Sequence, residues 1–322
     1  MPLLRFDPLL KRIRWGGTLL GERFRKPIGD ARDVAESWEL CDHPADQTRV
    51  QSGPWRGTTL HDLLDQQRAE ILGRHAALDR FPLLLKYLDV QDYLSVQVHP
   101  NDEQAARIVP GEVGKNEAWI ILEAPAHCQV FAGLKQGVVE ADLRQALATG
   151  QITELLHAEP VQTGDVLLIP AGTVHALSPG LLLAEVQQPS IQTYRLYDWK
   201  RLGSDGRPRE LHIERALACI DFTRGPVHRL PPKLLEATPS RLELLVDSPW
   251  FVIRRHTGAV PVRLEQDGCF RALMVLDGRV AVQSGAEEEQ LQCGETLLVG
   301  ASSLEPVVIP QGLAQWLEIY LP

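Results

Sequence analysis

Cysteine is scarce in this sequence, and its few thiols show no arrangement that serves a disulfide framework or a paired metal site. There are five cysteines, an odd number, and none belongs to a Cys-x-x-Cys pair. Scattered thiols of this kind are typical of a reducing compartment. We therefore expect free thiols in a cytoplasmic protein, at positions Cys41, Cys128, Cys219, Cys269 and Cys293.

The sequence also lacks a long apolar run and an excess of basic residues. No stretch approaches the roughly 18 apolar residues that a membrane-spanning helix needs, and the first residues show no signal-peptide core. With 33 Lys and Arg against 42 Asp and Glu, the net charge is −9. These absences argue against a nucleic acid or a membrane as partner. An anionic small molecule is not excluded, because a local basic pocket can lie on an acidic protein.

Short apolar segments between glycine and proline turns predict a mainly β chain. Residues 81–89 form an apolar run of the kind found in a strand buried on both faces, and residues 93–99 alternate between apolar and polar. Helical spacing predicts helices at about 59–80, 139–157 and 210–222. At 322 residues the chain has room for two domains. Pro226, Pro231 and Pro232 mark a linker, so we place the domains at 1–230 and 231–322.

Residues 164–175, which read GDVLLIPAGTVH, predict a turn, a short buried strand, a second turn and a histidine at the start of another strand. The spacing of Gly164, Pro170, Gly172 and His175 resembles the second motif of the cupin superfamily. In that superfamily the histidine binds a metal inside a small β-barrel. By itself a histidine beside a turn is more often structural, so the interpretation depends on finding further ligands.

Candidate ligands lie upstream in two other β-segments. Gln97, His99 and Glu117 share an inward-facing parity with His175, and strands of a barrel pass one another, so the four side chains can meet across its interior. Two imidazoles, a carboxylate and an amide oxygen suit Zn²⁺ with open positions for water or substrate. Iron, manganese and nickel fit this ligand set almost as well.

Four segments resemble the signatures of class I mannose-6-phosphate isomerases, most of all the short bacterial form. They are SVQVHPND at 95–102, GKNE at 114–117, PAGTVH at 170–175 and YRLYDWKR at 194–201. WGG at 15–17 and ESWE at 36–39 are also similar, and the resemblance runs in order from about residue 6 to 222. It implies tandem cupin, or jelly-roll, barrels. The first is a catalytic domain with a small helical insert, and the second is a degenerate β-domain.

The resemblance implies a zinc-dependent aldose–ketose isomerase acting on mannose 6-phosphate and fructose 6-phosphate, with one zinc ion per chain. Its ligands would be Gln97, His99, Glu117 and His175. In this family the segments that hold Ser95 and Lys115 contact the sugar phosphate, and Arg195 belongs to the active site.

The chemistry of such a reaction asks for a general base as well. A proton moves between C1 and C2 through a cis-enediol(ate), and a positioned carboxylate or lysine can lift it. Glu185 and Lys86 are the candidates, although Lys86 can equally lie at a strand edge with its head group in water. Arg195 can clamp an enediolate oxygen or the phosphate with its planar fork; its alternative is a structural ion pair with Asp198.

The C-terminal segment provides an internal comparison. GETLLVGASSLE at 294–305 aligns on residues 164–175, but Glu305 stands where the first motif has its histidine. No histidine follows His256. We therefore expect the second β-domain to bind no metal.

Two other functions remain open from the sequence. A non-catalytic cupin that binds sugar phosphates would keep the barrel but lose ligands or Arg195. Another metal-dependent cupin enzyme, such as an iron dioxygenase, would carry His-x-His in place of Gln97-Val-His99. The oligomeric state is open between a monomer and a homodimer.

Overall fold

The computed structural model describes residues 3–202 and 206–322 and is built mainly from antiparallel strands. The predicted first domain, 1–230, includes residues 1, 2 and 203–205, which lie outside the described residues. The strands before residue 200 are Leu3–Leu4, Phe6–Asp7, Leu9–Gly17, Val34–Leu40, Asp42–His43, Asp46–Gln47, Arg49–Val50, Leu84–Val90, Val96–Val98, Glu117–Glu123, Gln129–Leu134, Leu156–Pro160, Val166–Ile169, His175–Leu177, Leu181–Gln187 and Tyr194–Tyr197.

Two of the sheets form the first barrel. The six-stranded sheet has the order 166–169, 117–123, 181–187, 84–90, 34–40 and 9–17, and the five-stranded sheet has the order 156–160, 129–134, 175–177, 96–98 and 194–197. Alternation decides which side chains face the interior. On Glu117–Glu123, for example, Trp119 and Ile121 pack inside against Leu177 of the opposite sheet, whereas Ala118 and Ile120 face outward. The predicted mainly β cupin fold is confirmed.

The helices lie outside this barrel. The α-helices are Leu19–Phe24, Leu60–Leu72, Asp102–Ile108, Glu140–Thr149 and Ile213–Cys219, and the 3₁₀ turns are Gly53–Trp55, Gly73–His75 and Ile152–Glu154. The predictions at 59–80 and 210–222 are confirmed with shorter bounds. The hydroxyl of Thr59 caps the second α-helix by accepting from the backbone N–H of Asp62, at 3.0 Å. No helix in the described parts of the chain is long and apolar enough to cross a membrane.

The helical segment predicted over 139–157 is confirmed as an α-helix followed by a 3₁₀ turn, and only its end is wrong. The α-helix ends at Thr149 and Gly150 caps it in the left-handed conformation. After one 3₁₀ turn, Leu156–Pro160 is a strand that pairs with the edge strand Gln129–Leu134. An unpaired edge offers main-chain donors and acceptors to a neighbouring segment, and this long-range pairing outweighs the local helical pattern.

The second barrel follows from residue 233. Its strands are Lys233–Glu236, Arg241–Asp247, Val252–Gly258, Val262–Arg263, Arg271–Asp277, Arg279–Ser284, Glu287–Gln292, Thr296–Val299, Val307–Pro310 and Ala314–Tyr320. They form a four-stranded sheet and most of a seven-stranded sheet, whose far edge is the strand Leu3–Leu4 from the start of the chain. The beginning of the sequence is therefore tied to the second barrel.

The two barrels share a large apolar core. Tyr87 on the outer face of the first barrel contacts Phe24 at 4.5 Å between ring centroids, and Phe81 contacts Phe270 of the second barrel at 4.9 Å. Residues of both barrels and of the helices Leu19–Phe24 and Leu60–Leu72 join in this cluster. The division at residue 230 stays a prediction, and the continuous core shows that the two parts pack against each other.

Gly133 lies where the strand Gln129–Leu134 of the first barrel packs against residues 225–227, which lead to the second barrel. Its φ is +88°, and a Cβ there would lie 2.3 Å from the carbonyl oxygen of Gly225. Its N–H donates to Val174 O at 2.8 Å, directly before His175. Gly137 has a similar φ of +83°, but a methyl group added there would meet nothing within 4 Å. Alanine at Gly137 would therefore introduce backbone strain alone, whereas alanine at Gly133 would introduce the same strain and a steric clash.

We expect Gly137→Ala to lower the free energy of unfolding by about 1 kcal/mol, the cost of a left-handed alanine. Gly133→Ala should cost about 1–3 kcal/mol more, because its methyl group also overlaps with Gly225. Urea unfolding followed by tryptophan fluorescence measures both. Equal losses of stability in the two variants would contradict the close approach of Gly133 to residue 225.

Candidate active site and metal centre

Three buried side chains converge inside the first barrel from three separate segments. His175 begins the strand His175–Leu177, Glu117 begins the strand Glu117–Glu123, and His99 follows Val96–Val98. Each of the three is 1% exposed. Gly172, with a φ of +84°, allows the tight turn before His175, where a side chain would press on Cys219 and Asp221 at about 3.1 Å. The predicted turn and strand start at 164–175 are confirmed.

The three groups have the spacing of ligands around one ion. Glu117 Oε1 lies 3.3 Å from His175 Nε2, and Glu117 Oε2 lies 3.5 Å from His99 Nε2. Metal–ligand bonds of roughly 2.0–2.1 Å in a tetrahedron separate neighbouring ligand atoms by about 3.3 Å. The imidazole rings are tilted by 50° with centroids 4.7 Å apart. The cluster therefore leaves a gap of the size that a divalent cation needs.

Backbone carbonyl groups set the tautomer of both histidines. His99 Nδ1 donates to Gln192 O at 2.8 Å, and His175 Nδ1 donates to Thr173 O at 2.9 Å. The lone pairs of both Nε2 atoms consequently face the gap. Burial, followed by the charge of Lys115, lowers the pKa of His99 to about 3. Burial also lowers the pKa of His175. Both imidazoles are therefore neutral, as metal ligands must be.

Glu117 is a carboxylate buried without enough partners. Burial alone would raise its pKa, but Lys115 and the two imidazoles outweigh that cost and hold the pKa of Glu117 well below its usual range. The ammonium group of Lys115 lies 2.8 Å from Oε2, in ion-pair range, yet this oxygen receives no hydrogen bond. An ionised, buried and incompletely bonded oxygen beside two neutral imidazoles fits a bound cation.

Gln97 completes the set that the sequence predicted. It pairs with His175 across the five-stranded sheet, and its amide group lies 3.2 Å from His175 Nε2. Ser95 donates to the Gln97 oxygen at 3.2 Å. The structure therefore brings Gln97, His99, Glu117 and His175 together, and their role as ligands stays a prediction. Rotation of the Gln97 amide about its last bond directs the oxygen toward the cluster.

A cavity of about 300 Å³ adjoins the cluster through Gln97 and Lys115, which line it and contact His175 and Glu117. All the remaining predicted site residues line it, namely Lys86, Ser95, Lys115, Glu185 and Arg195. Trp15 and Trp38 provide an apolar wall, and Ser190 and Thr193 add hydroxyl groups. A pocket of this size, partly apolar with a few convergent polar groups, suits a small polar ligand.

Lys86 and Glu185 form a buried ion pair on one side of the cavity. Lys86 Nζ lies 2.9 Å from Glu185 Oε1 and 3.6 Å from Glu36 Oε2. Trp119 donates to the second oxygen of Glu185 at 3.3 Å. Burial alone would lower the pKa of Lys86, but Glu185 and Glu36 reverse the effect and raise it above its usual value. Lys86 is therefore protonated and inside the barrel, and the expected alternative of a solvated edge position is wrong.

Arg195 is free to meet a ligand. Its backbone exchanges hydrogen bonds with His212, but its guanidinium group makes no hydrogen bond or ion pair within the described residues, and Nε is buried without a partner. Asp198, the alternative partner, is taken by Arg201 at 2.6 Å and by Arg209 at 2.7 Å. The structural ion pair between Arg195 and Asp198 is therefore not formed. Burial, and then the charge of Arg209, lower the pKa of Arg195.

Sequence reasoning missed Arg209 and did not assign a role to Glu36. Both line the cavity. Arg209 lies in an irregular segment with no motif, and only its bond to Asp198 aims it at the site. Glu36 belongs to ESWE, a segment that resembles the family's sequence. Glu36 and Trp38 are two residues apart on the strand Val34–Leu40 and therefore share a face, which could have predicted that both face the cavity.

Comparisons with known proteins agree with this geometry. A family model described as phosphomannose isomerase type I, catalytic domain, matches residues 3–126. The mannose-6-phosphate isomerases of Streptococcus mutans and Bacillus subtilis are 33% and 34% identical to this chain, each over 92% of both sequences. A crystal structure of the mannose 6-phosphate isomerase from Bacillus subtilis superposes with a TM-score of 0.91 at 28% identity, over 99% of both chains.

A more distant crystal structure, a mutant phosphomannose isomerase from Salmonella typhimurium, superposes with a TM-score of 0.78 at 16% identity over 100% of both chains. At this identity the likeness concerns the fold alone. Taken with the nearer relatives, the similarity covers both barrels.

We expect His175→Ala and Glu117→Ala each to abolish tightly bound metal and activity while the protein stays folded. Each removes one of three groups around the gap, and the barrel core beside them is unchanged. Metal analysis after dialysis, activity and circular dichroism measure the three properties. Variants that keep full metal content and near-normal turnover would refute the assignment of this cluster as the metal centre.

Proposed function

The chain belongs to the mannose-6-phosphate isomerase family, and from this premise we propose that it interconverts D-mannose 6-phosphate and D-fructose 6-phosphate in the cavity above His99, Glu117 and His175. The observation that carries the proposal is the position of this cluster. Gln97 and Lys115, which contact the cluster, line a cavity of about 300 Å³ that is also lined by Arg195 and Arg209. A sugar phosphate needs such a combination, with a cation near the reacting carbons and basic groups for the phosphate.

We propose Zn²⁺, one ion per chain, with Gln97, His99, Glu117 and His175 as ligands. The donor set of two neutral imidazoles, one carboxylate and one amide oxygen fits this ion, and the incompletely bonded Glu117 oxygen supports a cation there. When bound, the metal would stabilise the negative charge that develops on the substrate oxygens during enolisation.

Ser95 and Lys115 would bind the substrate. Both are buried beside the cluster and line the cavity. Lys115 Nζ lies 3.2 Å from His99 Nε2 as well as 2.8 Å from Glu117, so the ammonium group partly neutralises the cluster. A bound metal ion would neutralise the Glu117 carboxylate in place of Lys115. Lys115 would then be available to an anionic group of the substrate.

Of the two candidates for the general base, Glu185 would carry the proton transfer and Lys86 would support it. A base must be able to accept a proton at neutral pH, and the two carboxylates beside Lys86 keep that amine protonated. Glu185 is therefore our candidate for the group that moves the proton between C1 and C2. Lys86 would hold the carboxylate in position and offset its charge. The hydrogen bond from Trp119 fixes the second oxygen of Glu185.

Arg195 would bind the enediolate or the phosphate. Its guanidinium group lines the cavity, has no carboxylate partner among residues 3–202 and 206–322, and lies near the positive charge of Arg209. Arg209 is paired with Asp198, whereas the buried charge of Arg195 is left uncompensated, and a bound anion would relieve this cost. A planar fork with free donors is suited to a phosphate or an enediolate oxygen.

A direct test of the activity is turnover on mannose 6-phosphate with a coupled measurement of fructose 6-phosphate. We expect activity that a chelator removes and zinc restores. Binding of mannose 6-phosphate without turnover in the zinc-loaded protein would favour the non-catalytic sugar-phosphate-binding alternative.

We propose that residues 1–230 form the catalytic domain and that residues 231–322 take no part in metal binding or chemistry. Glu305 is exposed and lies 3.5 Å from Arg263. Inside the second barrel, His256 instead contacts Glu318 at 2.8 Å, and Glu318 receives a bond from Arg271 at 2.9 Å. An arginine thus supplies the positive charge that this buried carboxylate needs.

From this arrangement, Glu305→Ala should leave tightly bound zinc and turnover at their wild-type levels. His175→Ala, at the aligned position of the first barrel, serves as the contrasting variant. Metal content after dialysis and kcat/KM are the measurements. A loss of zinc in Glu305→Ala would overturn the proposal that the second barrel is free of metal.

If Arg195 stabilises the enediolate, Arg195→Lys should lower kcat by roughly 10²-fold or more, with a smaller change in KM and no loss of zinc. Lysine keeps the charge but loses the bidentate fork, as when one oxyanion donor is removed. Steady-state kinetics separate the possibilities. A rise confined to KM would place Arg195 on the phosphate.

Arg201→Lys is the control for this experiment. Arg201 lies six residues further along, bonds Asp198 and is absent from the cavity lining. Its substitution tests whether loosening this segment alone reduces turnover. Changes of less than about threefold in Arg195→Lys, or an equal loss in both variants, would end the catalytic assignment.

A further inference from the structure

A second cluster of metal-ligating side chains lies on the outer edge of the first barrel, away from the cavity. His157 and Glu159 belong to the edge strand Leu156–Pro160, and His228 lies in the connector, residues 224–232, that leads to the second barrel. One oxygen of Glu159, Oε2, lies 3.0 Å from His157 Nε2 and 2.9 Å from His228 Nδ1. The three ligand atoms lie within 4.8 Å of one another.

The backbone on both sides of His228 is already fixed. Val227 N donates to Ala132 O at 2.9 Å, and Leu230 N donates to Val166 O at 2.8 Å. His157 and Glu159 are held by the pairing of their strand with Gln129–Leu134. The three side chains are therefore presented from ordered main chain, and little conformational freedom would be lost when an ion binds.

The second oxygen of Glu159 has partners of its own. Oε1 accepts from Arg229 Nε at 3.0 Å, and Arg229 in turn contacts Asp165 at 3.1 Å. This arrangement orients the carboxylate and leaves Oε2 to the two imidazoles. A second set of hydrogen bonds that fixes a ligating carboxylate is a regular feature of metal sites. The charge of Arg229, which would oppose a cation, is offset by Asp165.

We propose that His157, Glu159 and His228 form a second metal site, which binds Zn²⁺ through two imidazoles and one carboxylate. The bound ion would link the connector to the edge strand of the first barrel. The observed separations of 2.9 and 3.0 Å need to widen by only a few tenths of an ångström to reach the roughly 3.3 Å of a tetrahedral zinc site. Water would complete the coordination, since the His228 side chain is 65% exposed.

The site should bind more weakly than the buried centre, because it has fewer protein ligands and one of them is open to solvent. Its effect should be structural. An ion that binds the folded chain and not the unfolded chain raises stability by mass action, and here it would hold residues from two segments 69 positions apart, Glu159 and His228.

The test is a titration of the dialysed, zinc-loaded protein with ZnCl₂, followed by calorimetry and by thermal unfolding. Wild-type protein should take up one further equivalent and gain in Tm as zinc rises. His228→Ala should lose at least tenfold in affinity for that equivalent and show no gain in Tm, while kcat/KM stays at the wild-type level. His157→Ala should behave in the same way.

His127→Ala is the matched control, since His127 is an exposed histidine of the same barrel outside the cluster. It should keep the second equivalent. His175→Ala should lose the tight zinc but still bind the weaker one, which separates this site from the catalytic centre. Failure of the wild-type protein to bind a second equivalent would show that the cluster is only a hydrogen-bonded contact. Uptake that is unchanged in His228→Ala would equally overturn the proposal.

Discussion

The arrangement of the active site follows from the burial of one carboxylate. Glu117 is 1% exposed at the start of a central strand of the first barrel, and an ionised carboxyl group there is expensive unless positive charge surrounds it. Lys115 and the expected metal ion meet that demand, and the two neutral imidazoles would hold the ion. Lys115 belongs to the same segment as Glu117, whereas His99 and His175 come from two others, so the metal site requires these three segments to lie close together.

The barrel meets this requirement through the alternation of its strands. Because side chains alternate between the two faces, Glu117 and Trp119 face inward together with Glu185 and Lys86 on the neighbouring strands. The same alternation turns Ala118 and Tyr87 outward, into the core shared with the second barrel. A shift of register by one residue would therefore damage the site and the barrel–barrel interface at once.

The second barrel shows another solution to the same problem. Its buried carboxylate, Glu318, is neutralised by Arg271 and contacts His256, which stacks on Trp316 at 5.0 Å between ring centroids. Arginine retains its charge at any accessible pH and brings fixed hydrogen-bond geometry. Arg271 thus takes the place that a metal ion would have beside this carboxylate, which supports our proposal that the second barrel binds none.

The sequence was informative wherever local spacing decides the outcome. The turn and strand around Gly172 and His175, the inward parity of the four ligand candidates, and the helix that begins after Thr59 all follow from short-range patterns. It failed where distant partners decide. Leu156–Pro160 is a strand because an edge is open beside it. For Arg195 the sequence left an ion pair with Asp198 open as the alternative, and only the structure shows that Arg201 and Arg209 occupy that carboxylate. No local signal reports such competition.

The distribution of charge reconciles an acidic protein with an anionic substrate. The net charge of −9 acts over the whole surface and is screened beyond a Debye length of about 8 Å at physiological salt. Within the cavity the local groups dominate. The acidic residues Glu36 and Glu185 are both near Lys86, whereas no carboxylate of the described residues pairs with Arg195. Among the described residues the uncompensated positive charge of the cavity therefore lies at Arg195, which is where we propose that the anionic part of the substrate binds.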